Sequence, residues 1–284
     1  MKVLVTGAGG QLGSAIIAAA PPDVQVIGLD RHALDITNPS ATIGVMERER
    51  PDIIVNAAAY TAVDRAEVEA SIAVEVNGTA VGNLATAAGQ VGARLIQIST
   101  DFVFDGKRSV PYPTDAEPAP LNVYGQSKLA GERGAGRRAL IIRTAWLYAN
   151  DGRNFVNTML HLLRQRDEIH VVSDQVGTPC FAPGLAAALW KLASNEATGV
   201  LHYTDSGVAS WYDFAVAVQE EAADAGLLRS RTRIIPTSSV AYPAPALRPA
   251  YSVLNKDRTW DVLGYRAPHW RVNLRHMLKE VACG

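Results

Sequence analysis

A glycine-rich loop near the start of the chain constrains the fold more than any other feature of the sequence. Gly7, Gly10 and Gly13 follow the β-branched run Val3–Thr6 and open a segment with helical spacing, Leu12–Ala20. The first glycine permits a tight turn, the second lets the backbone approach a pyrophosphate, and the third brings the helix close to its strand. Amide groups at the helix N-terminus add donors for the phosphate. The loop therefore predicts a strand, a phosphate-binding turn and a helix, the first unit of a nucleotide-binding α/β fold.

Further apolar runs continue this alternation of strand and helix along the chain. Runs that are apolar throughout are typical of parallel strands covered on both faces. Such units form a sheet that binds ligands beyond the carboxyl ends of its strands. We therefore predict an α/β fold: a doubly wound parallel sheet (Rossmann) over residues 1–149 and 178–205, with a smaller C-terminal substrate-binding lobe over 150–177 and 206–284. The predicted strands are Val3–Thr6, Val24–Leu29, Ile53–Asn56, Leu95–Ser99, Leu140–Arg143 and Val200–Thr204, and the predicted helices include Leu12–Ala20, Ala41–Arg50, Ser71–Val91, Phe181–Ala193 and one from Ser127 onward.

The hydroxyl pair Ser99–Thr100 and the later string Tyr124-Gly-Gln-Ser-Lys128 indicate a redox site. Residues four apart share one face of a helix, so the Lys128 ammonium can lie beneath the Tyr124 phenol. A nearby cation favours the phenolate and is expected to lower the tyrosine pKa from its usual value of about 10. A Tyr-x3-Lys pair alone is usually an ordinary helix turn. The order of glycine loop, hydroxyl pair and Tyr-x3-Lys favours the site of a short-chain dehydrogenase/reductase.

The end of the second predicted strand carries opposing signals for the nicotinamide cofactor. An acid at the position of Asp30 can bind the ribose 2′-hydroxyl of NAD, whereas the adjacent Arg31 can accept the 2′-phosphate of NADP. Asp35 and Ile36 follow at a spacing that suits the adenine, although an aspartate before an apolar residue often marks a turn. The choice between NADPH and NADH stays open at this point.

Eight longer strings extend this pattern over nearly the whole chain, and with them the chain closely resembles the dTDP-4-dehydrorhamnose reductase family of extended short-chain dehydrogenase/reductases. The strings are Gly10-Gln-Leu-Gly13, Asn56-Ala-Ala-Ala-Tyr-Thr-Ala-Val-Asp64, Ser99-Thr-Asp-Phe-Val-Phe-Asp-Gly106, Tyr124-Gly-Gln-Ser-Lys128, Arg143-Thr-Ala-Trp146, Asp174-Gln-Val-Gly-Thr-Pro179, Ser210-Trp-Tyr-Asp-Phe214 and Arg248-Pro-x-x-Ser252-x-Leu254. The resemblance implies reduction of the C4 keto group of dTDP-4-dehydro-L-rhamnose to dTDP-L-rhamnose, the last step of that sugar's synthesis, by NADPH, with NADH as the alternative cofactor.

The resemblance also implies roles for individual residues. Thr100 would bind the C4 oxygen, Tyr124 would donate the proton, and Lys128 would hold the nicotinamide ribose. The implied cofactor-binding residues are Gly7, Gly10, Gln11, Leu12, Gly13, Asp30, Arg31, Asp35, Ile36, Ala57, Ala58, Ala59, Tyr124 and Lys128. The implied substrate-binding residues are Thr61, Val63, Thr100, Asp101, Trp146 and Arg248.

Three positions qualify these implications. Cys180 stands where the family usually has threonine, so we expect one donor fewer near the sugar pocket. Some family members dimerise through magnesium bound by an acid just after the glycine loop. Ser14–Ala15 occupy that place here, so we expect no metal and either a monomer or a homodimer. Trp211 and Tyr212 have two interpretations, a platform that stacks on thymine or part of the core of the smaller lobe, and aromatic residues at a helix start more often belong to a core.

Two other functions remain as alternatives. One is reduction of a different dTDP-4-keto-deoxysugar, since the sequence does not fix how the hexose lies in its pocket. The other is a non-catalytic role like that of the regulatory β subunit of methionine adenosyltransferase, against which Thr100, Tyr124 and Lys128 argue. A 4,6-dehydratase is disfavoured, because Phe102 follows Asp101 where dehydratases carry a second acid.

Composition excludes several other classes of protein. The 28 acidic and 27 basic residues nearly cancel, so no strong field favours nucleic acid or an anionic membrane. The two cysteines, Cys180 and Cys283, form neither a disulfide framework nor a metal knuckle. The chain reaches its glycines within a few residues and has no run long enough for a signal peptide or a membrane span. We therefore expect a cytoplasmic enzyme that binds neither nucleic acid nor membrane.

Overall fold

A six-stranded parallel sheet lies at the centre of the computed structural model, which describes residues 1–228 and 232–283. Its spatial order is β2-β1-β3-β4-β5-β10, so the direction of winding reverses at β1. The strands along the chain are β1 (Lys2–Thr6), β2 (Gln25–Leu29), β3 (Ile53–Asn56), β4 (Arg94–Thr100), β5 (Leu140–Thr144), β6 (Leu147–Tyr148), β7 (Glu168–Val172), β8 (Val176–Gly177), β9 (Cys180–Phe181), β10 (Gly199–His202), β11 (Ala209–Ser210) and β12 (Arg233–Thr237).

The helices pack against both faces of this sheet and build the smaller lobe. A π-helical turn at Glu75–Thr79 joins α4 to α5, and a short 3-10 turn at Asp101–Val103 follows β4. Within the described residues, no helix has the length and apolar character needed to cross a membrane. The helices are α1 (Gln11–Ala18), α2 (Pro39–Glu49), α3 (Val63–Ala66), α4 (Ala70–Val74), α5 (Ala80–Val91), α6 (Val123–Gly134), α7 (Phe155–Gln165), α8 (Ala182–Ser194), α9 (Trp211–Asp224), α10 (Asp257–Leu263) and α11 (Trp270–Cys283).

Alternate residues of the central strands feed two separate cores. Val3 and Val5 of β1 face a cluster that includes α1 and α8, whereas Leu4 faces a cluster that includes α2 and α5. Because successive side chains of a strand point to opposite faces, a strand covered on both sides must be apolar throughout. The predicted doubly wound sheet is therefore confirmed, and its six strands lie within one or two residues of their predicted bounds. The helix that carries Tyr124 begins at Val123, earlier than the predicted start at Ser127.

The smaller lobe has a core of its own. Helices α7, α9 and α11 pack together around Phe214, Leu274 and Met277, all fully buried. A two-stranded parallel pair, β7 with β12, lies beside them. The remaining strands form two-residue ladders, β6 with β9 and β8 with β11. These ladders lie in the segments that join the lobe to the central sheet, and the sequence analysis missed them because two residues carry no recognisable period.

Candidate functional site

A cleft of about 670 Å³ opens at the carboxyl ends of β1, β2 and β3, next to the point where the strand order reverses. A doubly wound sheet binds its nucleotide at this location. Most of the predicted cofactor residues line the cleft: Gly7, Gly10, Asp30, Arg31, Asp35, Ile36, Ala57, Ala58 and Ala59. The sequence analysis missed several other lining residues, among them His32, Tyr60, Arg65 and Glu69.

Two positions of the glycine loop, Gly7 and Gly13, have room for backbone only. Gly7 adopts a positive φ of 68°, and a Cβ there would lie 2.6 Å from the Ala58 nitrogen. A Cβ on Gly13 would lie 2.2 Å from the Gly7 carbonyl oxygen. Gln11, Leu12 and Gly13 lie outside the lining of the cleft, so their contribution to cofactor binding stays a prediction. The Gln11 side chain instead accepts a hydrogen bond from Asn154 at 3.0 Å, which ties α1 to the smaller lobe.

The far rim of the cleft holds the residues predicted to choose the cofactor. One oxygen of Asp30 accepts hydrogen bonds from the backbone N–H groups of His32 and Ala33, both at 2.9 Å. Hydrogen bonds from the Thr37 side chain and backbone lower the pKa of Asp35, and nearby Arg31 acts in the same direction. One of the two Asp30 oxygens is therefore occupied by hydrogen bonds within its own turn, while Arg31 is exposed at the rim.

Asn77, in the π-helical turn, fixes the loop that follows β3. Its side chain accepts a hydrogen bond from the Tyr60 N–H and donates one to the Tyr60 carbonyl, both at 2.9 Å. It also donates to the Ser127 hydroxyl at 3.0 Å, which connects the cofactor loop to α6. Turns of this kind frequently mark functional sites. The sequence analysis missed Asn77, for which the one available signal was a polar residue inside a long helical pattern.

Thr100 and Tyr124 meet where β4 ends and α6 begins. The Thr100 hydroxyl is buried, accepts from the Phe102 N–H at 3.2 Å and contacts the Tyr124 hydroxyl. Burial raises the pKa of Tyr124 to about 12; the contact with Thr100 opposes this rise, and the Asp101 carboxylate adds to it. The predicted lowering of this pKa by a cation is therefore wrong for the protein alone, because the cost of burying a phenolate prevails.

Lys128 lies one helical turn after Tyr124, as predicted, and is buried. Its ammonium donates to the Ile98 carbonyl of β4 at 2.6 Å. Burial lowers the lysine pKa to about 8, and the Glu132 carboxylate opposes that fall. Glu132 also accepts two hydrogen bonds from Arg143, at 2.8 and 2.7 Å, and one from Ser99. Ser99 therefore supports this ion pair, and Thr100 alone of the hydroxyl pair meets Tyr124.

A second, smaller cavity of about 90 Å³ lies close to Tyr124. Phe102 connects the two, since its ring makes an edge contact with Tyr124 at a centroid distance of 5.8 Å. Two predicted substrate residues, Trp146 and Arg248, line this cavity, whereas Thr61 and Val63 lie outside both linings. The complete lining is Phe102, Trp146, Gln175, Trp211, Arg248, Pro249 and Ser252.

Asp101 and Arg248 are held by neighbours around this cavity. Asp101 is buried, which raises its pKa to about 6, while hydrogen bonds from Ser252 and Thr100 oppose the rise. Arg248 donates to Asp64 at 2.8 Å, so residues far apart in the chain meet across the cavity rim.

Two further sequence expectations concern donors and metals. Cys180 is fully buried in the core beneath the sheet, so its replacement of threonine does not remove a donor from the cavity, and that expectation is wrong. Within residues 1–228 and 232–283, no group of three or more His, Cys, Asp or Glu side chains is arranged to hold a metal ion. The expectation of no magnesium site stays a prediction.

Comparison with known proteins adds a second line of support to this geometry. The model of the family described as the RmlD substrate binding domain matches residues 1–283. The dTDP-4-dehydrorhamnose reductase of Escherichia coli K12 is 40% identical, with 99% of this chain and 98% of that protein covered. The crystal structure of the Bacillus anthracis dTDP-4-dehydrorhamnose reductase, in complex with NADP, superposes with a TM-score of 0.93 at 37% identity, covering 98% of this chain and 99% of that one. The Clostridium acetobutylicum structure of the same name gives 0.91 at 39% identity, covering 99% and 98%.

Proposed function

Because this chain belongs to the RmlD substrate binding domain family, together with the dTDP-4-dehydrorhamnose reductases, we propose that it reduces the C4 keto group of dTDP-4-dehydro-L-rhamnose. The product is dTDP-L-rhamnose. The observation that carries this proposal is the meeting of the buried Thr100 with the half-buried Tyr124 at the carboxyl end of β4. The nucleotide-sized cleft opens at the same edge of the sheet, and Phe102, which contacts Tyr124, lines a small cavity rich in aromatic rings.

A dinucleotide suits the first cleft, because about 670 Å³ opens over the glycine loop at the carboxyl ends of β1, β2 and β3. A reduced nicotinamide supplies a hydride when bound. NADPH is the favoured form, because Arg31, His32 and Arg65 line the rim where a 2′-phosphate would lie. Asp30 is less available to a 2′-hydroxyl, since one of its oxygens already accepts two backbone hydrogen bonds. The Bacillus anthracis structure, which holds NADP, supports the same choice.

The residues around Tyr124 have the chemistry that a carbonyl reduction needs. An alkoxide develops on the C4 oxygen, and donors fixed in advance stabilise that charge without reorganisation. The Thr100 hydroxyl would bind this oxygen, and the Tyr124 hydroxyl would give up its proton to it. A pKa near 12 keeps Tyr124 protonated until the substrate oxygen becomes a stronger base. The buried Lys128 ammonium would then stabilise the phenolate that remains.

The sugar nucleotide is assigned to the second cavity and its rim. Trp146 would cover one face of the hexose, Asp101 would bind a sugar hydroxyl, and Arg248 would contact the diphosphate, since a guanidinium suits phosphate oxygens. Thr61 and Val63 would enclose the open side of the pocket. Residues 1–149 and 178–205 are proposed as the dinucleotide-binding domain and 150–177 and 206–284 as the substrate-binding lobe. Thr61, Val63, Asp101 and Trp146 of the first domain would then complete the sugar pocket from the cofactor side.

One assay tests this function directly. dTDP-4-dehydro-L-rhamnose is generated in situ, and the absorbances of NADPH and NADH are followed in parallel with wild type and Tyr124→Phe. We expect rapid oxidation of NADPH by wild type and a loss of roughly 10²–10⁴-fold in Tyr124→Phe, because that is the usual contribution of a positioned acid. Tyr265→Phe, at a half-exposed position at the end of α10, serves as the matched control.

The contrary result is equally clear. If folded wild type binds the cofactor and consumes neither form, dTDP-rhamnose synthesis is rejected. A second assay with other dTDP-4-keto-deoxysugars then distinguishes a different reductase from a binding subunit.

A further inference from the structure

Trp146 is held in a backbone conformation that a bulky residue avoids. Its φ is 46°, in the left-handed region. A side chain of this size rarely adopts that region, and such a conformation costs roughly 1–3 kcal/mol unless the surroundings enforce it. Strained residues of this kind concentrate at functional sites. Trp146 lines the cavity beside Tyr124, so the contacts that enforce its conformation bear on the reaction.

Two residues confine the indole. The ring of Trp211 stacks on that of Trp146 with a centroid distance of 3.5 Å and an interplanar angle of 9°. Gly177 also lies against the indole and leaves room for the ring. A Cβ at Gly177 would have three atoms of the Trp146 indole as its nearest neighbours, at 2.7, 2.8 and 2.9 Å.

Local pairing makes this arrangement rigid. Gly177 ends β8, which pairs with β11 in the register Gly177 to Ala209, so that Trp211 follows directly at the start of α9. Trp211 is itself supported by Phe155, with ring centroids 4.6 Å apart. β8 also exchanges backbone hydrogen bonds of 2.8 Å with Ala250 and Ser252 of the string that carries Arg248. The short strand β8 thus connects three parts of the cavity lining: Gln175, which precedes it, Trp211, and the string that carries Arg248.

We propose that Gly177 and Trp211 act as positioning residues that fix the indole plane of Trp146, and that the fixed indole determines which face of the C4 carbonyl receives the hydride. This inference rests on the proposed reductase function. Hydride addition to either face of C4 breaks the same C=O π bond, takes the same proton from Tyr124 and leaves the same oxidised nicotinamide. The two products are C4 epimers, so only the orientation of the hexose separates them.

Gly177→Ala is the principal test. The new methyl group meets the indole at distances well below ordinary contact, which begins near 3.4 Å, so the ring must move. A misplacement of about 1 Å in an active site can cost up to about 10²-fold in rate. We expect kcat/KM to fall by about tenfold or more, and the C4 epimer to appear in the product. The epimer ratio is measured by proton NMR of the sugar, a readout that a merely structural role would not change.

Trp211→Leu serves as the second variant. It removes the stacked ring and should also release the second epimer. Circular dichroism of the stacked indoles checks that the pair is disturbed in both variants. The control is Gly44→Ala in α2, where an added Cβ meets nothing within 4 Å, and where the product should remain a single epimer.

The outcomes separate this inference from the function beneath it. If wild type does not reduce the 4-keto sugar, the proposed function fails. If wild type yields one epimer and both variants yield the same single epimer with unchanged KM, the inference is overturned while the function stands. Should Gly177→Ala fail to fold, the epimer ratio of Trp211→Leu decides.

Discussion

The cofactor cleft and the sugar pocket are neighbours, yet they are built in different ways. The floor of the cleft is formed by the backbone at the ends of three adjacent strands, with Gly7 and the alanines after β3 as its surface, and side chains such as Asp30 and Arg31 form its rim. The pocket is formed by side chains from five segments that are far apart in the chain and meet around the two-residue strand β8. The first region is encoded locally by short motifs, whereas the second depends on how distant segments pack. The variants below test that difference.

Helix α6 contacts both regions, since Ser127 accepts a hydrogen bond from Asn77, which fixes the loop after β3, and Tyr124 packs against Phe102 of the pocket. Its attachment to the sheet gives the largest expected effect. Glu132 of α6 and Arg143 of β5 form an ion pair whose side chains are 5% and 4% exposed. Glu132→Gln leaves a buried guanidinium without its counter-charge, and removing one partner of such a pair typically costs about 3–5 kcal/mol. We expect the free energy of unfolding, measured with urea, to fall by that amount.

The matched control for this variant is Glu47→Gln, at an exposed position of α2. It should change the free energy of unfolding by less than about 0.5 kcal/mol. Equal stabilities for the two variants would show that the ion pair does not anchor α6.

Gly13→Ala tests the backbone-built region by itself. Its Cβ would lie 2.2 Å from the Gly7 carbonyl oxygen, so α1 must shift away from the loop. Overpacking of this kind costs roughly 1–3 kcal/mol, and we expect the dissociation constant for NADPH to rise by about ten- to hundredfold. Isothermal titration measures it. Gly9→Ala in the same loop is the control, because its Cβ meets only the Asp30 side chain at 3.7 Å. A similar loss in both variants would contradict the packing argument.

The sequence predicted the sheet well for a physical reason that individual strands illustrate. Residues 53–55 of β3 are apolar because both faces of the strand are covered, and this property appears in three consecutive letters. Gly10 and Gly13 are equally local, since a Cβ at either would meet the Gly7 carbonyl oxygen of the same loop, whereas Gly7 itself contacts the backbone of Ala58 after β3. The two-residue strands β6, β8, β9 and β11 could not be predicted, because their pairing is determined by the lobe they join.

The sugar pocket shows the same limit for individual residues. Trp146 and Arg248 were assigned through resemblance, and both line the cavity. Gly177 was missed, although it lies in a quoted string, because its importance is a contact with a ring that is distant in sequence. Cys180 was placed near the pocket on the strength of its neighbours, but the backbone turns it into the core. In an irregular segment, the direction in which a side chain points follows no sequence period, so it could not be predicted.

The pH dependence of kcat/KM tests whether the reaction needs the Lys128 ammonium of α6. Burial lowers the pKa of Lys128 to about 8, so its ammonium is present below that pH and lost above it. Tyr124, with a pKa raised to about 12, keeps its proton throughout the same range. If the ammonium is needed, kcat/KM should fall by about tenfold per pH unit above pH about 8. Lys128→Met should be slower and lack this alkaline limb. An alkaline limb that persists in Lys128→Met would assign the titration to another group.

The smallest expected effect belongs to the rim of the side-chain-built region. Arg248 is 26% exposed and donates to Asp64, whose side chain is 44% exposed, so water screens both charges. If its guanidinium contacts the substrate diphosphate, Arg248→Ala should raise the substrate KM by about two- to tenfold and leave kcat nearly unchanged, because the contact is equally strong before and during the reaction. Affinity for NADPH should not change, since Arg248 lies outside the cofactor cleft. Arg138→Ala, at an exposed position beyond α6, is the control. Asp64→Asn should raise KM in the same direction, because Asp64 holds the guanidinium towards the cavity. An unchanged substrate KM in Arg248→Ala would show that this arginine does not contact the substrate diphosphate. Backbone groups would then be the donors to the diphosphate, as proposed for the cofactor cleft.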